Sequence, residues 1–311
     1  MKKFVAFFKL VRWPNLLITA LTMCLVHHCV LGLASTLAFT LLVISMVLIQ
    51  AGGYVINDIF DVEIDAVNKP KKLIVGKIFT EKQSNLFYIV LTIIGLGCGL
   101  AASLMATGKN FITVFASLIL LACFLYSYSS RYKKKLVVGN LIVSLSVAFA
   151  VFLPWLFQVL AMLGDKEMLL ENQEWMHVTL HIVLIYTAFA LSLTLIREIV
   201  KDMQDIEGDG RQHCRTIPII WGVKAAQIIV IALSFATCVM IFNAADYFSE
   251  LGLKITNYML YASGVLAFFV AGNNCTLLTD KSLRTENQFR LQSMFLKTSM
   301  LLGVLSMFFI K

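Results

Sequence analysis

Charge is what this chain has least of. Only 14% of its 311 residues are Asp, Glu, Lys or Arg, whereas soluble domains carry about 25%. Proline is nearly missing, with 4 residues against 23 Phe. The 7 cysteines (Cys24, Cys29, Cys98, Cys123, Cys214, Cys238 and Cys275) are odd in number and lack any metal-ligand spacing. Most fall inside apolar runs, where Cys behaves as a small hydrophobe, so no disulfide framework is inferred. Lys2 and Lys3 precede the first apolar run, but no small-residue cleavage site follows it. The first helix is therefore expected to be retained. The apolar fraction is 59%, more than a water-soluble fold of this length can hide. The composition is that of an integral membrane protein. The net charge of +8 would otherwise point to nucleic acid. In a membrane protein it reflects topology, which can be checked.

Apolar runs long enough to span occur near 14–33, 36–56, 86–105, 111–128, 138–160, 177–196, 225–243, 258–278 and 292–310. Each is near the roughly 20 residues that a bilayer requires. The expected fold is all-α, a polytopic membrane bundle of nine transmembrane helices in a single domain over 1–311. Lys and Arg test that count. Of the 26, only Lys109, Lys166, Lys254 and Lys311 lie on the side opposite the N-terminus. A miscounted helix would scramble this alternation. The N-terminus is thus expected in the cytoplasm and the C-terminus outside, in the plasma or inner membrane if the source is bacterial. The basic charge is accounted for without nucleic acid.

The acids are less evenly spread than topology requires. Ten of the 18 lie within 58–81 and 198–209. The first stretch holds Asn57, Asp58, Asp61 and Asp65, and the second holds Asp202, Asp205 and Asp209. Both read Asp-x-x-Asp-x-x-x-Asp, and both follow a long apolar run on the cytoplasmic side. On one helix, offsets of 0, 3 and 7 fall within an arc of roughly 60°. Each triplet is therefore expected to share a face, with Glu63 and Glu207 pointing away. Three carboxylates on one stripe repel unless a cation sits among them.

Hard oxygen ligands of this kind suit Mg²⁺, which takes one or two carboxylates together with phosphate oxygens. Cations interleave the acids: Lys69, Lys71 and Lys72 after the first triplet, and Arg197, Lys201 and Arg211 around the second. Carboxylates, metal and Lys/Arg are what a diphosphate needs. Facing each other, the two triplets would make an acidic cup at the cytoplasmic mouth of the bundle. A lone Asp-x-x-x-Asp at a helix end reads as solvated charge. Two copies with one spacing on one side, each with basic neighbours, point instead to chemistry. In the reaction class that fits, metal ions draw off a diphosphate leaving group, an allylic cation forms, and a bound acceptor traps it.

These residues resemble the UbiA superfamily of membrane prenyltransferases. The family's Asn-Asp-x-x-Asp-x-x-x-Asp is met by Asn57, Asp58, Asp61 and Asp65. Its second motif is met by Asp202, Asp205 and Asp209, followed by Arg215-Thr216-Ile217-Pro218. Its Arg-x-x-Asn appears as Arg12-Trp13-Pro14-Asn15. The family has nine transmembrane helices, so the likeness covers essentially the whole chain. The first loop departs from it. Where the family often has Asn-Arg-Pro-x-Arg-Pro, this chain has Asn68-Lys69-Pro70-Lys71-Lys72, keeping charge but losing bidentate Arg geometry. The resemblance implies that Asp58, Asp61, Asp202 and Asp205 are the catalytic residues and bind Mg²⁺ and diphosphate most directly. Asn57, Asp65 and Asp209 would support the cluster. Lys69, Arg197 and Lys201 would bind diphosphate, and Asn15 would line the pocket near the reacting carbon.

The stretch from Tyr126 to Asn140 has two readings. Interfacial Tyr and positive-inside Lys make it an anchor, which accounts for Lys134 and Lys135. Tyr128, Lys133 and Asn140 are the candidates for holding an anionic acceptor, and for Lys133 both readings stand. His177 and His181 are four apart but have no third ligand partner, so they read as interfacial residues and not as a zinc site.

The acceptor is less legible than the donor. The string from Arg197 to Asp209 is most similar to the geranylgeranylglycerol-phosphate geranylgeranyltransferase branch, whose reaction forms an ether. Homogentisate-type enzymes share a similar Lys-Asp-x-x-Asp-x-x-Gly-Asp string. Prenylation of an aromatic quinone precursor (homogentisate, hydroxybenzoate or dihydroxynaphthoate) is therefore the alternative. A cation-coupled transporter is a more remote one, because it predicts acids near the bilayer midplane and here they cluster at one face. The expected partners are a prenyl diphosphate, a membrane-associated acceptor and the bilayer. No protein partner can be inferred.

Overall fold

The computed structural model describes residues 2–29, 35–68, 73–163, 166–211, 214–280, 282 and 284–310. Among the described residues there is no strand beyond an isolated bridge between Val75 and Phe79. The α-helices are α1 (Lys2–Leu10), α2 (Trp13–Cys29), α3 (Thr36–Phe60), α4 (Val62–Asn68), α5 (Glu81–Thr107), α6 (Phe111–Ser130) and α7 (Val138–Met162). They continue with α8 (Lys166–Glu171), α9 (Gln173–Gln204), α10 (Ile206–Arg211), α11 (Ile217–Ile220), α12 (Gly222–Glu250), α13 (Lys254–Thr279) and α14 (Glu286–Ser306). Every long helix overlaps one of the expected apolar runs, and the fold is the all-α membrane fold that composition demands.

Counted by length and apolar character alone, the described residues give fewer than nine spans. Among the described residues, seven helical stretches are long and apolar enough to cross a membrane, or eight if α1 and α2, bent by 51° at their junction, form one span. The main reason is Glu81–Ser130, a 50-residue stretch that qualifies once yet holds both α5 and α6. Gly108 has φ +49°, in the left-handed region that glycine enters without penalty, and it starts the turn between the two helices. A Cβ on Gly99 would stand 2.5 Å from Leu118 Cδ1. α6 therefore turns back along α5, and the stretch is a helical hairpin. The first expected run, 14–33, ends at Cys29 among the described residues.

The chain forms two compact units, and α7 and α9 contribute to both. The first unit comprises Met1–Tyr132 and Phe149–Val183. Its core gathers Leu42, Met46 and Ile49 of α3, Leu118 of α6, and Leu153 and Phe157 of α7. A second cluster packs Leu10 and Leu16 against Ala51 and Val55 of α3 and the loop residues Val75 and Phe79. Lipid offers apolar side chains no advantage in meeting each other, so membrane helices associate through close backbone approach. Here α3 and α5 do so through glycine. A Cβ on Gly52 would lie 2.7 Å from Thr92 Oγ1, and one on Gly99 would lie 2.6 Å from Ser45 Oγ. The helix that carries the first aspartate motif is thereby fixed against its neighbour.

The second unit comprises Lys133–Ala148 and Leu184–Lys311. Ile196 and Val200 of α9, Val230 of α12, Ala267 and Val270 of α13, and Leu296 of α14 form its core. Hydrogen bonds add to packing between α13 and α14. Ser263 Oγ donates to the Ser299 carbonyl and Ser299 Oγ to that of Ser263, each at 3.0 Å. Asn274 Nδ2 donates to Gln292 Oε1 at 2.8 Å. Interhelical bonds of this kind are worth about 0.6 kcal/mol each on average.

Candidate active site

Both aspartate motifs interrupt their helix at the same place. α3 ends at Phe60 and α4 begins at Val62; α9 ends at Gln204 and α10 begins at Ile206. The residue between is Asp61 in one case and Asp205 in the other, the second aspartate of each triplet. Asp61 has φ −96° and ψ 4°, outside helical geometry. The hydrogen-bond ladder nevertheless runs on. Asp61 N donates to Asn57 O at 3.0 Å and Asp65 N to Asp61 O at 2.8 Å. In the other copy, Asp205 N donates to Lys201 O at 2.9 Å and Asp209 N to Asp205 O at 3.1 Å. The expected single straight stripe is thus corrected. The first aspartate sits on the long helix, the second at the break and the third on a short following helix. Asp competes with the backbone for hydrogen bonds and favours helix ends over interiors.

In the first unit the motif gathers polar partners. Asn57 Nδ2 donates to Asp61 Oδ2 at 2.7 Å, and both residues are buried. Asp58 feels the neighbouring Asp61 carboxylate and is paired with Arg12, whose Nη2 donates to Asp58 Oδ1 at 2.8 Å. The Arg12 guanidinium also lies over Tyr54, with Cζ 4.9 Å from the ring centroid, a cation–π contact. Tyr128 of α6 is close enough to act on the same charge. Asn15 is half-buried in the first turn of α2, with its N–H bonded to Arg12 O at 2.8 Å. Asp65 is half-buried on α4. Asn15, Asp58 and Tyr128 are thus placed beside Arg12, while Asn57 and Asp61 stand next to Asp58. Lys69 lies outside the described residues.

In the second unit Asn140, near the start of α7, donates from Nδ2 to Asp202 Oδ2 at 2.8 Å. The loop before α7 is tied to the same region, since Arg215 N donates to Lys134 O at 3.0 Å. Lys133 is half-buried in the turn Tyr132–Lys134. Arg197 and Lys201 both end on Glu198, which is buried. Asp209 is buried, and its carbonyl accepts from Cys214 N at 2.9 Å. Arg211 pairs with Glu207 at 2.6 Å, both exposed. Glu207 points outward as expected.

Sequence reasoning quoted Arg12 only as part of a motif and gave Glu198 no role. Glu198 could have been found from its spacing, one residue after Arg197 and three before Lys201, since i,i+3 neighbours meet on a helix. The pairing of Arg12 with Asp58 spans 46 positions and left no local signal.

A divalent cation fits the first cluster. Asn57 Oδ1 is buried without a hydrogen-bond partner among the described residues, and it stands beside two carboxylates. An orphaned carbonyl oxygen and carboxylates are the donors that Mg²⁺ prefers. Among the described residues, no group of three or more His, Cys, Asp or Glu is arranged to hold a metal alone. The donor set therefore suits an ion whose shell is completed by water and phosphate oxygens.

A model of the UbiA prenyltransferase family matches residues 15–298. The chain belongs to this family. Within it, a digeranylgeranylglyceryl phosphate synthase from Methanobrevibacter smithii is 27% identical over 308 residues, covering 96% of this chain and 95% of that one. A synthase of the same name from Sulfolobus acidocaldarius is 33% identical over 245 residues, 76% of each chain. A solved UbiA homolog from Archaeoglobus fulgidus, bound to DMAPP and Mg²⁺, matches with TM-score 0.62 over 97% of this chain and 98% of that one, at 16% identity. At that identity the likeness is one of fold. The molecule is an integral membrane prenyltransferase of the UbiA family.

Proposed function

We propose that this UbiA prenyltransferase uses Mg²⁺ and transfers a geranylgeranyl group from its diphosphate to geranylgeranylglycerol phosphate or a similar glycerol phosphate. The observation that carries the reading is likeness along nearly the whole chain to a digeranylgeranylglyceryl phosphate synthase. In the reaction, the bond between C1 of the prenyl group and the diphosphate oxygen breaks. The glycerol hydroxyl forms the new ether bond to C1, its proton is released, and diphosphate leaves.

Asp58, Asp61, Asp202 and Asp205 would hold Mg²⁺, which when bound offsets charge on the departing diphosphate. Asn57, Asp65 and Asp209 support these carboxylates. Lys69, Arg197 and Lys201 bind phosphate oxygens. Asn15 lies near the reacting carbon, and Tyr128, Lys133 and Asn140 hold the acceptor. Two observations support the assignment: the amide donors that Asn57 gives Asp61 and Asn140 gives Asp202. Residues 1–311 act as one catalytic domain, with the N-terminus and both motifs cytoplasmic and the C-terminus outside, as the Lys/Arg alternation supports.

The test is a product screen. Purified protein in detergent receives geranylgeranyl and longer diphosphates with geranylgeranylglycerol phosphate, homogentisate, hydroxybenzoate or dihydroxynaphthoate, and products are weighed by mass spectrometry. An ether of the glycerol phosphate, lost with EDTA and restored by Mg²⁺, is expected. A prenylated aromatic with no ether would replace this reading with C–C bond formation.

A further inference from the structure

The first helix has two unlike faces. One packs on the first unit: Ala6 and Leu10 of α1 are buried, and they join Val55 of α3 and the loop residues Val75 and Phe79 in one cluster. Phe7 adds an edge-to-face contact with Phe87 of α5, 5.3 Å between centroids. On the other face Phe4, Val5 and Phe8 are exposed, Phe4 to 68%. At ~100° per residue these three fall within an arc of about 100°. The Phe4 and Phe8 rings meet edge to face at 4.8 Å, so they form one patch. Lys3 and Lys9, both exposed, stand on either side of it. α1 has 9 residues, which is ~13 Å of helix against the ~30 Å of hydrocarbon in a bilayer. It cannot cross alone, and it bends away from α2 by 51°. α2 then opens with exposed Trp13, and Trp favours the membrane–water boundary. Aromatic rings flanked by lysines on so short a helix suit the headgroup layer, with rings at the acyl boundary and ammonium groups among phosphates.

We propose that α1 is an interfacial helix whose Phe4, Val5 and Phe8 dock into the bilayer surface on the N-terminal side of the first span, while Lys3 and Lys9 bind anionic phospholipid headgroups. Charge complementarity selects this occupant. A second copy of the chain would bring the same lysines to the contact, and α1 has no acidic residue to meet them. The surface adjoins the site. α1 ends two residues before Arg12, whose guanidinium holds Asp58, and its inner face holds Val75 and Phe79 of the loop that follows the first aspartate motif. Docking of α1 thus steadies the segment that places Arg12. The inference needs no assumption about donor or acceptor.

The experiment follows amide hydrogen exchange of α1 by mass spectrometry in the full-length protein, one copy per nanodisc. The discs contain phosphatidylcholine alone, or phosphatidylcholine with a third of phosphatidylglycerol. A lysine near an anionic surface contributes about fivefold, so two should slow exchange of α1 by roughly thirtyfold in the anionic discs at low salt. Added salt should shrink that difference. In Lys3→Gln/Lys9→Gln it should fall below about threefold. In Phe4→Ser/Phe8→Ser exchange should quicken in both lipids, because the apolar contact goes while the lysines stay. Equal exchange of wild-type α1 in the two lipids would overturn the proposal, as would slowing that persists in the lysine variant. Should a variant fail to fold, which exchange of the α3 core reports, the wild-type salt titration decides: slowing indifferent to salt overturns the headgroup contact. Protection seen only in discs loaded with two copies would assign the face to a second copy instead. Turnover is not read, so failure here leaves the proposed function standing, and failure of the product screen leaves this test intact.

Discussion

Arg12 Nη2 meets Asp58 Oδ1 at 2.8 Å, so the first aspartate of the first motif is engaged by an arginine 46 positions earlier. Arg12 sits at the break between α1 and α2 with φ +52°. A non-glycine residue there costs of order 1–2 kcal/mol. The conformation is retained where three contacts meet: the Asp58 carboxylate, the Tyr54 ring and the Asn15 amide, whose N–H bonds to the Arg12 carbonyl. Any cation that Asp58 binds through Oδ1 must compete with this guanidinium.

That competition predicts the behaviour of Arg12→Gln. With the guanidinium gone, half-saturating Mg²⁺ should fall in a turnover assay. Stability should drop by about 1 kcal/mol, since Arg12 is more than a third exposed and such ion pairs and cation–π contacts are each worth no more than about 1 kcal/mol. An unaltered Mg²⁺ titration would remove Asp58 from the list of metal ligands.

Asp61→Asn and Asp205→Asn are expected to lower diphosphate release by at least about a hundredfold, the scale of losing one electrostatic stabiliser of a transition state. Both proteins should remain folded and membrane-inserted. Wild-type-like turnover in either variant, measured by a diphosphate release assay, would sink the metal role of that residue.

Asn140→Ala takes away the amide that donates to Asp202 Oδ2. A hydrogen bond to a charged group contributes about 1.5–3 kcal/mol, so kcat/KM should fall by roughly ten- to a hundredfold. Steady-state kinetics on the purified variant test this, and an effect below about twofold would make Asn140 a bystander.

Gly99→Val probes the scaffold instead of the chemistry. Its first added carbon would stand 2.5 Å from Leu118 Cδ1 and 2.6 Å from Ser45 Oγ. Overpacking of this kind costs about 1–3 kcal/mol. Thermal unfolding in detergent should show the loss. Activity per folded molecule should fall less than the folded fraction, because Gly99 lies away from the α3 end that bears Asn57.

Much of the site could be read in one dimension. Asn57, Asp58 and Asp61 are near neighbours in sequence, and helix periodicity brings such residues to one end of α3 whatever the rest of the chain does. The same holds for Asp202, Asp205 and Asp209. Periodicity failed at the second aspartate of each motif, where the helix breaks. The rule supposes an unbroken helix, and Asp is a residue that ends them.

The sequence by itself determined the membrane class, the all-α fold, the two aspartate motifs and the family, because apolar run length and local spacing act without long-range information. Tertiary structure decided the partners. Asn140 reaches Asp202 across 62 positions and Arg12 reaches Asp58 across 46. These pairings depend on where packed helices place their ends, and no local pattern encodes that. Glu198 lies between the two cases: its spacing to Arg197 and Lys201 is local, while the burial that gives the pairing its force comes only from the packed core around α9.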